Sequence, residues 1–338
     1  MTLDEVLSQF KSFKRRLFFQ SFFDLNNKDF EDFTNFSKEE RQLLCSNIKF
    51  NVFKETKVFV SKKGDTFKAL LTTYDDLKIE TVLMENSRGA YTICVSSQVG
   101  CAMGCTFCAT GTMGLKRNLT YFEIIAQLKF WQQYLYDNQN QKQILNVVFM
   151  GMGEPLANYL NVREALNIWI DLKLLGPTRI TVSTVGVIPA LNRILEDEKW
   201  PNVRIAISLH SANFEKRKEI VPTTIPQFHQ KLIDWSYKYF KKFSSNRLRV
   251  TFEYTLIAGV NDSKAHAKEL AEYVSQFGRA KINVIPLNLV KDKDFEPSDV
   301  KRIEDFKKVI LSYSIDVTQR KTMGEDINAA CGQLALSN

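Results

Sequence analysis

The chain has 338 residues, 44% of them hydrophobic and 25% charged, with a net charge of +8 and a pI of about 9.0. That length accommodates one large domain and a small one, and a positive field of this size favours polyanionic partners, either nucleic acid or a membrane surface. No apolar run approaches the ~18 residues needed to cross a bilayer, and the start, Met-Thr-Leu-Asp-Glu-Val-Leu, lacks the basic and apolar regions of a secretory signal. A cytoplasmic protein with no membrane contact is therefore expected. In that setting six cysteines point to metal or redox chemistry, not to a disulfide scaffold.

Residues 1–50 read as helical. Leu3, Val6, Leu7 and Phe10 recur at helical spacing, and Ser37 with Glu40 forms a capping box ahead of Leu43 and Leu44. Residues 51–85 are β-rich, with short runs at 57–60, 67–71 and 79–83 broken by Gly64 and Asp75-Asp76. From about residue 90, strand and helix alternate. Strands are expected at 91–96, 144–150, 179–184, 203–208, 248–256, 281–286 and 315–319. Helices fall between them at about 120–135, 159–173, 187–196, 226–242, 264–276 and 299–312. Thr120 with Glu123 caps the first of these helices. Repeated β-α units imply a parallel sheet closed wholly or partly into a barrel. The stretch from Lys291 to Asp294 reads as a solvated loop.

Cys101-Ala-Met-Gly-Cys105-Thr-Phe-Cys108 follows the first strand of the alternating region. Thiolates are the usual ligands of iron–sulfur clusters, and a complete 4Fe–4S shell uses four of them. Three close thiols without an evident fourth leave one iron open. The competing reading is a zinc site, which needs a fourth Cys or His; the next histidine along the chain is His210 and the nearest other cysteine is Cys94.

The triplet resembles the signature of the radical S-adenosylmethionine (SAM) superfamily, over roughly residues 90–320. That resemblance implies an α/β fold, a partial (βα)6-type barrel akin to the TIM barrel. It also implies one 4Fe–4S cluster per chain that cleaves SAM to a 5′-deoxyadenosyl radical. Gly151-Met-Gly-Glu-Pro155, at the end of the second strand, resembles the superfamily's glycine-rich motif for the SAM amino group, with Gly153 and Glu154 as contacts. By the same resemblance Ser183, Ser208, Leu209, His210 and Asn288 contact the rest of SAM. All lie at C-terminal strand ends, the mouth where barrel active sites form.

Three cysteines lie outside the triplet. Cys45 reads as buried filler. Cys94 sits on the first strand, and Cys331 lies in a tail that, starting beside the flexible Gly324, can reach over the barrel mouth. The strings Cys94-Val-Ser-Ser-Gln-Val-Gly-Cys101, Phe149-Met-Gly-Met-Gly-Glu-Pro-Leu156, Ser208-Leu-His210 and Ala329-Ala-Cys-Gly-Gln333 are similar to those of the RlmN-type RNA adenine methyltransferases. The likeness runs through Thr251-Phe-Glu-Tyr254, Gly259-Val-Asn-Asp262 and the N-terminal Asp32–Lys38. It implies methylation of adenine carbon 2 in 23S ribosomal RNA and in transfer RNA, with two SAM molecules consumed per methyl. One SAM methylates Cys331; a radical from the second activates that methyl group toward the base; Cys94 then resolves the adduct through a transient disulfide. Glu80 is implied as proton acceptor, and flavodoxin or ferredoxin as electron donor to a monomeric enzyme. Residues 1–85 are expected to form an RNA-binding accessory module, and 86–338 the barrel with its cysteine tail.

Candidate phosphate contacts are Lys11, Lys14, Arg15 and Arg16; Lys116 and Arg117 beside the triplet; and Lys241, Lys242, Arg247 and Arg249. Three alternatives stand: an adenine carbon-8 methyltransferase conferring antibiotic resistance, against which Pro155 speaks; a radical enzyme acting on peptides or small molecules; and an iron–sulfur nucleic-acid-binding protein without methyltransferase activity. Met323, Glu325, Asn328 and the run Leu287-Asn288-Leu289 depart from the family pattern.

Overall fold

The structure, a computed structural model, describes residues 1–243, 249–290 and 293–336. Arg247, the start of the strand expected at 248, and the first two residues of the loop expected from Lys291 lie outside the described residues.

Three helices open the chain: α1 (Leu3–Leu7), α2 (Lys14–Phe23) and α3 (Lys38–Asn47). Capping boxes at Thr2/Glu5 and Ser37/Glu40 start α1 and α3 by satisfying first-turn amides. Their core is aromatic. Phe18, Phe22, Phe30 and Phe33 are buried against one another, and Phe18 and Phe22 also meet Phe122 with ring centroids 6.1 and 4.9 Å away. At about 1.5–3 kcal/mol for each large apolar side chain buried, this contact docks the helices firmly on the barrel. Cys45 corrects its expectation: α3 buries only Leu44, and Cys45 lies exposed beside Asp29 and Glu31.

Next come β1 (Glu55–Val60), β2 (Thr66–Thr72) and β3 (Lys78–Glu85), an antiparallel meander. β3 pairs antiparallel with β4 (Tyr91–Cys94), so the sheet runs on without a break across residue 85. A small two-stranded ribbon follows, β5 (Gln98–Cys101) and β6 (Gly114–Asn118), enclosing the short helix α4 (Ala109–Thr112). This ribbon has no counterpart among the expected elements, because β6 is largely exposed and carries no alternation.

Helix–strand alternation then proceeds as expected, through α5 (Tyr121–Asp137), β7 (Ile144–Phe149), α6 (Tyr159–Asp171), β8 (Ile180–Thr184), α7 (Ile188–Glu196) and β9 (Arg204–Ser208). It continues through α8 (Phe214–Ile220), α9 (Phe228–Phe243), β10 (Val250–Leu256), α10 (Lys264–Val274), β11 (Ala280–Pro286), α11 (Val300–Ser312) and β12 (Asp316–Gln319). Strands β4, β7, β8, β9, β10, β11 and β12 are parallel neighbours in that order. Six helical crossovers join them, as expected for a partial (βα)6 barrel. Every residue of β10 is buried, with Val250, Phe252, Tyr254 and Leu256 alternating with Thr251, Glu253 and Thr255, the last two facing the cavity. Among the described residues, no helix is long and apolar enough to cross a membrane.

Candidate active site

The C-terminal ends of the parallel strands surround a cavity that opens to solvent. Its wall includes Cys101, Cys105, Cys108, Gly153, Glu154, Ser183, Ser208, His210 and Cys331. Eight of these nine fall at or just past strand ends or in the loop that follows β5; Cys331 comes from the C-terminal tail.

The ribbon β5–β6 holds the triplet. Gly100 has φ +77°, and a Cβ there would lie 1.8 Å from the Gly114 carbonyl oxygen, so the two strands can approach only with glycine at this position. The Cys108 amide donates to the Cys105 carbonyl at 3.1 Å, and the Thr106 amide donates to the Ile220 carbonyl at 3.0 Å, pinning the loop to α8. Burial is the main force pushing all three thiols up, Cys101 to about 11. Buried thiols so high become thiolates only against a bound cationic body, which suits them as iron ligands. All three thiols line the same cavity.

β7 runs into the glycine turn. A Cβ on Gly151 would meet the Val95 carbonyl oxygen at 2.7 Å, and one on Gly153 (φ +98°) would meet Gln98 Cβ at 2.5 Å. These glycines let the turn pack onto the backbone that leads to the triplet. Glu154 is buried. Its Oε1 accepts from the Leu156 amide at 2.9 Å, its Oε2 accepts from the Val185 amide at 2.8 Å, and its own amide donates to Gln98 Oε1. Burial outweighs those hydrogen bonds and raises its carboxyl pKa to about 7. A fixed, half-neutral carboxyl in a cavity suits an incoming ammonium.

Ser183 and Ser208 stand with hydroxyls 3.4 Å apart on adjacent strands. His210 is buried at φ +59°. Its Nδ1 accepts from the Thr255 amide, and burial, aided by Arg217, lowers its pKa to about 3, so the ring is neutral. The Leu209 side chain is buried in the core, its amide donates to the Glu253 carbonyl and its carbonyl accepts from Arg217 Nε. Asn288 lines a smaller adjoining cavity, and its Nδ2 donates to the Cys331 carbonyl at 2.9 Å.

Arg217 went unnoticed in the sequence, hidden in the charged run Glu215-Lys-Arg-Lys-Glu of α8, a helix not among those expected. Only 1% exposed, it stacks on Phe228 and donates to the carbonyls of Val185, Ser208 and Leu209 and to the Thr224 hydroxyl. It thereby ties together the loops that follow β8 and β9.

The tail reaches the mouth as expected. The Ala109 amide donates to the Gly332 carbonyl at 2.7 Å and the Thr110 hydroxyl donates to the Leu334 carbonyl at 2.6 Å, so the tail lies against the triplet loop. Gly324 is not a loose hinge: at φ +68° it packs where a Cβ would meet Thr66 Cγ2 at 2.6 Å. Cys94 is buried and shares the smaller cavity with Cys331; burial pushes the Cys94 thiol up to about 12. The Arg320 guanidinium lies 3.8 Å from Cys331 Sγ and 3.9 Å from Glu253 Oε2. Glu80 is buried outside both cavities, with its Oε1 2.8 Å from Lys68 Nζ.

Most of the candidate phosphate contacts are engaged within the protein. Arg117 bridges Asp75 and Glu123, Arg15 bridges Asp4 and Glu164, Lys14 meets Glu40, Arg249 meets Asp316, Lys242 donates to the Ile194 and Asp197 carbonyls, and Arg16 donates weakly to the Asp171 carbonyl. Lys11, Lys116 and Lys241 are exposed.

The Radical SAM superfamily model matches residues 95–271. The chain is 39% identical, over 98% of its length and 96% of the relative's, to a probable dual-specificity RNA methyltransferase RlmN of Clostridium novyi. It is 41% identical to the dual-specificity RNA methyltransferase RlmN of Lawsonia intracellularis, over 90% of this chain and 85% of that one. The crystal structure of a radical SAM methyltransferase from Sphaerobacter thermophilus superposes with a TM-score of 0.87 at 36% identity, covering 98% of this chain and 96% of the other. The superfamily brings with it SAM and an iron–sulfur cluster, and the three thiols and Glu154 fit them. The chain belongs to the RlmN family of radical SAM dual-specificity RNA methyltransferases.

Proposed function

We propose that this enzyme methylates carbon 2 of an adenine in 23S ribosomal RNA, and of adenine in transfer RNA, with Cys331 as methyl carrier. The observation that carries this reading is the pairing of cysteines. Cys331 lines the cavity of the triplet and also the smaller one that holds Cys94, so a single sulfur serves both. Cys101, Cys105 and Cys108 would hold one 4Fe–4S cluster, with one iron left to SAM. When bound, that pair supplies a methyl group from one SAM and a hydrogen-abstracting radical from a second.

The remaining work falls to the chain. Glu154 receives the SAM ammonium, and Ser183, Ser208 and the neutral His210 line the wall beside it. Cys331 Sγ takes the methyl group and later carries its carbon to the electron-poor ring position. The adduct sheds the ring proton to solvent and one electron back to the one-electron carrier. Attack by the Cys94 thiolate on the Cys331 sulfur then breaks the sulfur–carbon bond, leaves a Cys94–Cys331 disulfide and puts the bonding pair on the carbon, which takes a proton to become the methyl group. An external dithiol reduces the disulfide to reset the enzyme. A reduced flavodoxin or ferredoxin is the electron donor, and the enzyme acts as a cytoplasmic monomer. An adenine buried in structured RNA must leave its stack to reach the cavity.

Mass spectrometry of ribosomal and transfer RNA from cells with and without the gene tests the product. Loss of 2-methyladenosine on deletion is expected. Unchanged 2-methyladenosine, or loss of 8-methyladenosine instead, overturns the assignment.

Glu154 adds a pH signature. Its folded pKa lies above the ordinary carboxyl value of 4.5, so its contribution to stability is full below that value and is lost as pH rises through about 7. Binding of an ammonium runs the other way, since it requires the carboxylate. SAM affinity of the reconstituted enzyme should therefore weaken about tenfold per pH unit below 7 and level off above it. Anaerobic equilibrium dialysis from pH 5.5 to 8.5 measures this, and Glu154→Gln should flatten the profile. A wild-type profile that is already flat refutes the role.

A further inference from the structure

One carboxylate oxygen in the cavity has no partner. Glu253, on β10, is 3% exposed and lines the cavity of the triplet. Its register partner on β11 is Asn283, whose own partner on β12 is Thr318. The Thr318 hydroxyl donates to Asn283 Oδ1, and Asn283 Nδ2 donates to Glu253 Oε1 at 2.9 Å, so the carboxylate is held from one side. Its other oxygen, Oε2, is buried and has no hydrogen-bond partner among the described residues. The Arg320 guanidinium stops 3.9 Å short of it, too far for a hydrogen bond. A buried acceptor left bare is costly, so a donor from outside the chain is expected there.

Arg320 is in a similar position. It lines the same cavity, just past β12. Among the described residues, the hydrogen-bond acceptors its side chain meets are the sulfurs of Met150 and Cys331, both weak. Its Nη1 lies 3.8 Å from Cys331 Sγ and 3.9 Å from Glu253 Oε2. A donor in want of an acceptor thus stands between the cysteine and an acceptor in want of a donor.

We propose that Arg320 and Glu253 read the Watson–Crick edge of the target adenine. Along that edge carbon 2 is followed by N1, an acceptor, and then by the exocyclic amine, a donor. With carbon 2 at Cys331, N1 faces Arg320 and the amine faces Glu253 Oε2. Extruded bases are commonly recognised by hydrogen bonds to this edge. Guanine presents an N1–H donor to Arg320 and a carbonyl oxygen to Glu253, so like meets like and the base is rejected. The proposal rests on the carbon-2 reading and deepens it: that reading names the atom alkylated, and this pair selects the base that carries it.

The test compares kcat/KM for methyl transfer to three RNAs. They differ only at the position modified in the cell, which carries adenine, purine (no amine) or 1-deazaadenine (no N1). Where an analogue RNA is not methylated, its affinity as a competitive inhibitor supplies the comparison. Wild type, Glu253→Leu, Glu253→Gln and Arg320→Met are assayed as full-length reconstituted enzymes. Glu253→Leu should shrink the preference for adenine over purine about tenfold or more, the scale of a hydrogen bond to a charged group. Arg320→Met should shrink the preference for adenine over 1-deazaadenine by a similar factor. Glu253→Gln keeps an acceptor oxygen and should retain most of the purine discrimination. Each preference is a ratio within one enzyme, so a merely structural defect, which slows all three RNAs alike, does not move it. Should Glu253→Leu fail to fold, Arg320→Met decides, because its partly exposed side chain leaves the core intact.

Preferences equal to wild type in both variants overturn the proposal. So does weaker SAM binding in Glu253→Leu with an unchanged purine preference, which gives the bare oxygen to SAM. The product separates the two claims. A methyl group found on carbon 8 sinks the carbon-2 reading and this pair with it; a methyl group on carbon 2 with unmoved preferences sinks only the pair.

Discussion

Cys331→Ala is expected to lower methyl transfer to RNA by about 10³-fold or more, the scale seen when one member of a nucleophilic unit is removed. The iron content and the reductive cleavage of SAM should both survive, because the side chain is not among the three thiols of the triplet. Structurally the substitution is mild. Cys331 is exposed, and the tail around it is held by main-chain contacts: its own carbonyl accepts from Asn288, and the Gly332 carbonyl accepts from the Ala109 amide. Alanine disturbs neither, so the tail keeps its course while losing its only sulfur. The assay pairs transfer of labelled methyl to RNA with quantification of 5′-deoxyadenosine. Methylation within about tenfold of wild type contradicts the carrier role, since no other residue of the tail offers a comparable nucleophile.

The second large effect is expected at Arg217. This guanidinium is 1% exposed, is not in an ion pair with any carboxylate among the described residues, and donates to three carbonyls and a hydroxyl. Burial pulls its pKa down to about 10, which still leaves it charged at neutral pH. Methionine fills similar space and relieves the desolvated charge, but strands four buried acceptors. With each unmade bond costing roughly 1–3 kcal/mol and the charge relief offsetting part, a net loss of about 3 kcal/mol is expected. For a chain of 338 residues that lowers the melting temperature by roughly 4 °C. The loops after β8 and β9 carry Val185, which binds Glu154, and Ser208, so SAM cleavage should fall with it. Arg217→Lys should recover little, because a single ammonium cannot reproduce the fork. Calorimetry of the apo protein is the measurement; a melting temperature within about 1 °C of wild type refutes the account.

Much of the barrel could be read along the chain. Alternation of apolar runs with capped amphipathic stretches located seven strands and six helices within a few residues, because period and burial are local signals. Ser183, Ser208 and His210 came from the family likeness, supported by their place at C-terminal strand ends, which share one mouth in a parallel barrel. That likeness could not show that the Leu209 side chain packs into the core or that Asn288 also holds the tail. Periodicity offered no view of the ribbon β5–β6, whose second strand is largely exposed. Arg217 was invisible for a different reason: a charged residue in a charged run reads as solvated until packing reveals what covers it.

The sequence by itself determined the kind of chemistry. Three thiols within eight residues, and a glycine turn ending in a carboxylate, are set by short spacing, and short spacing survives any fold that leaves the loop intact. Only the tertiary structure decided which distant groups meet. Cys94 and Cys331 share a cavity, and Glu80 receives the amide of Leu336, because the last strand returns the chain to the mouth and β3 pairs with β4 beside it. Such pairings are fixed by strand order and by buried hydrogen bonds between residues far apart along the chain, and neither is written in any local pattern.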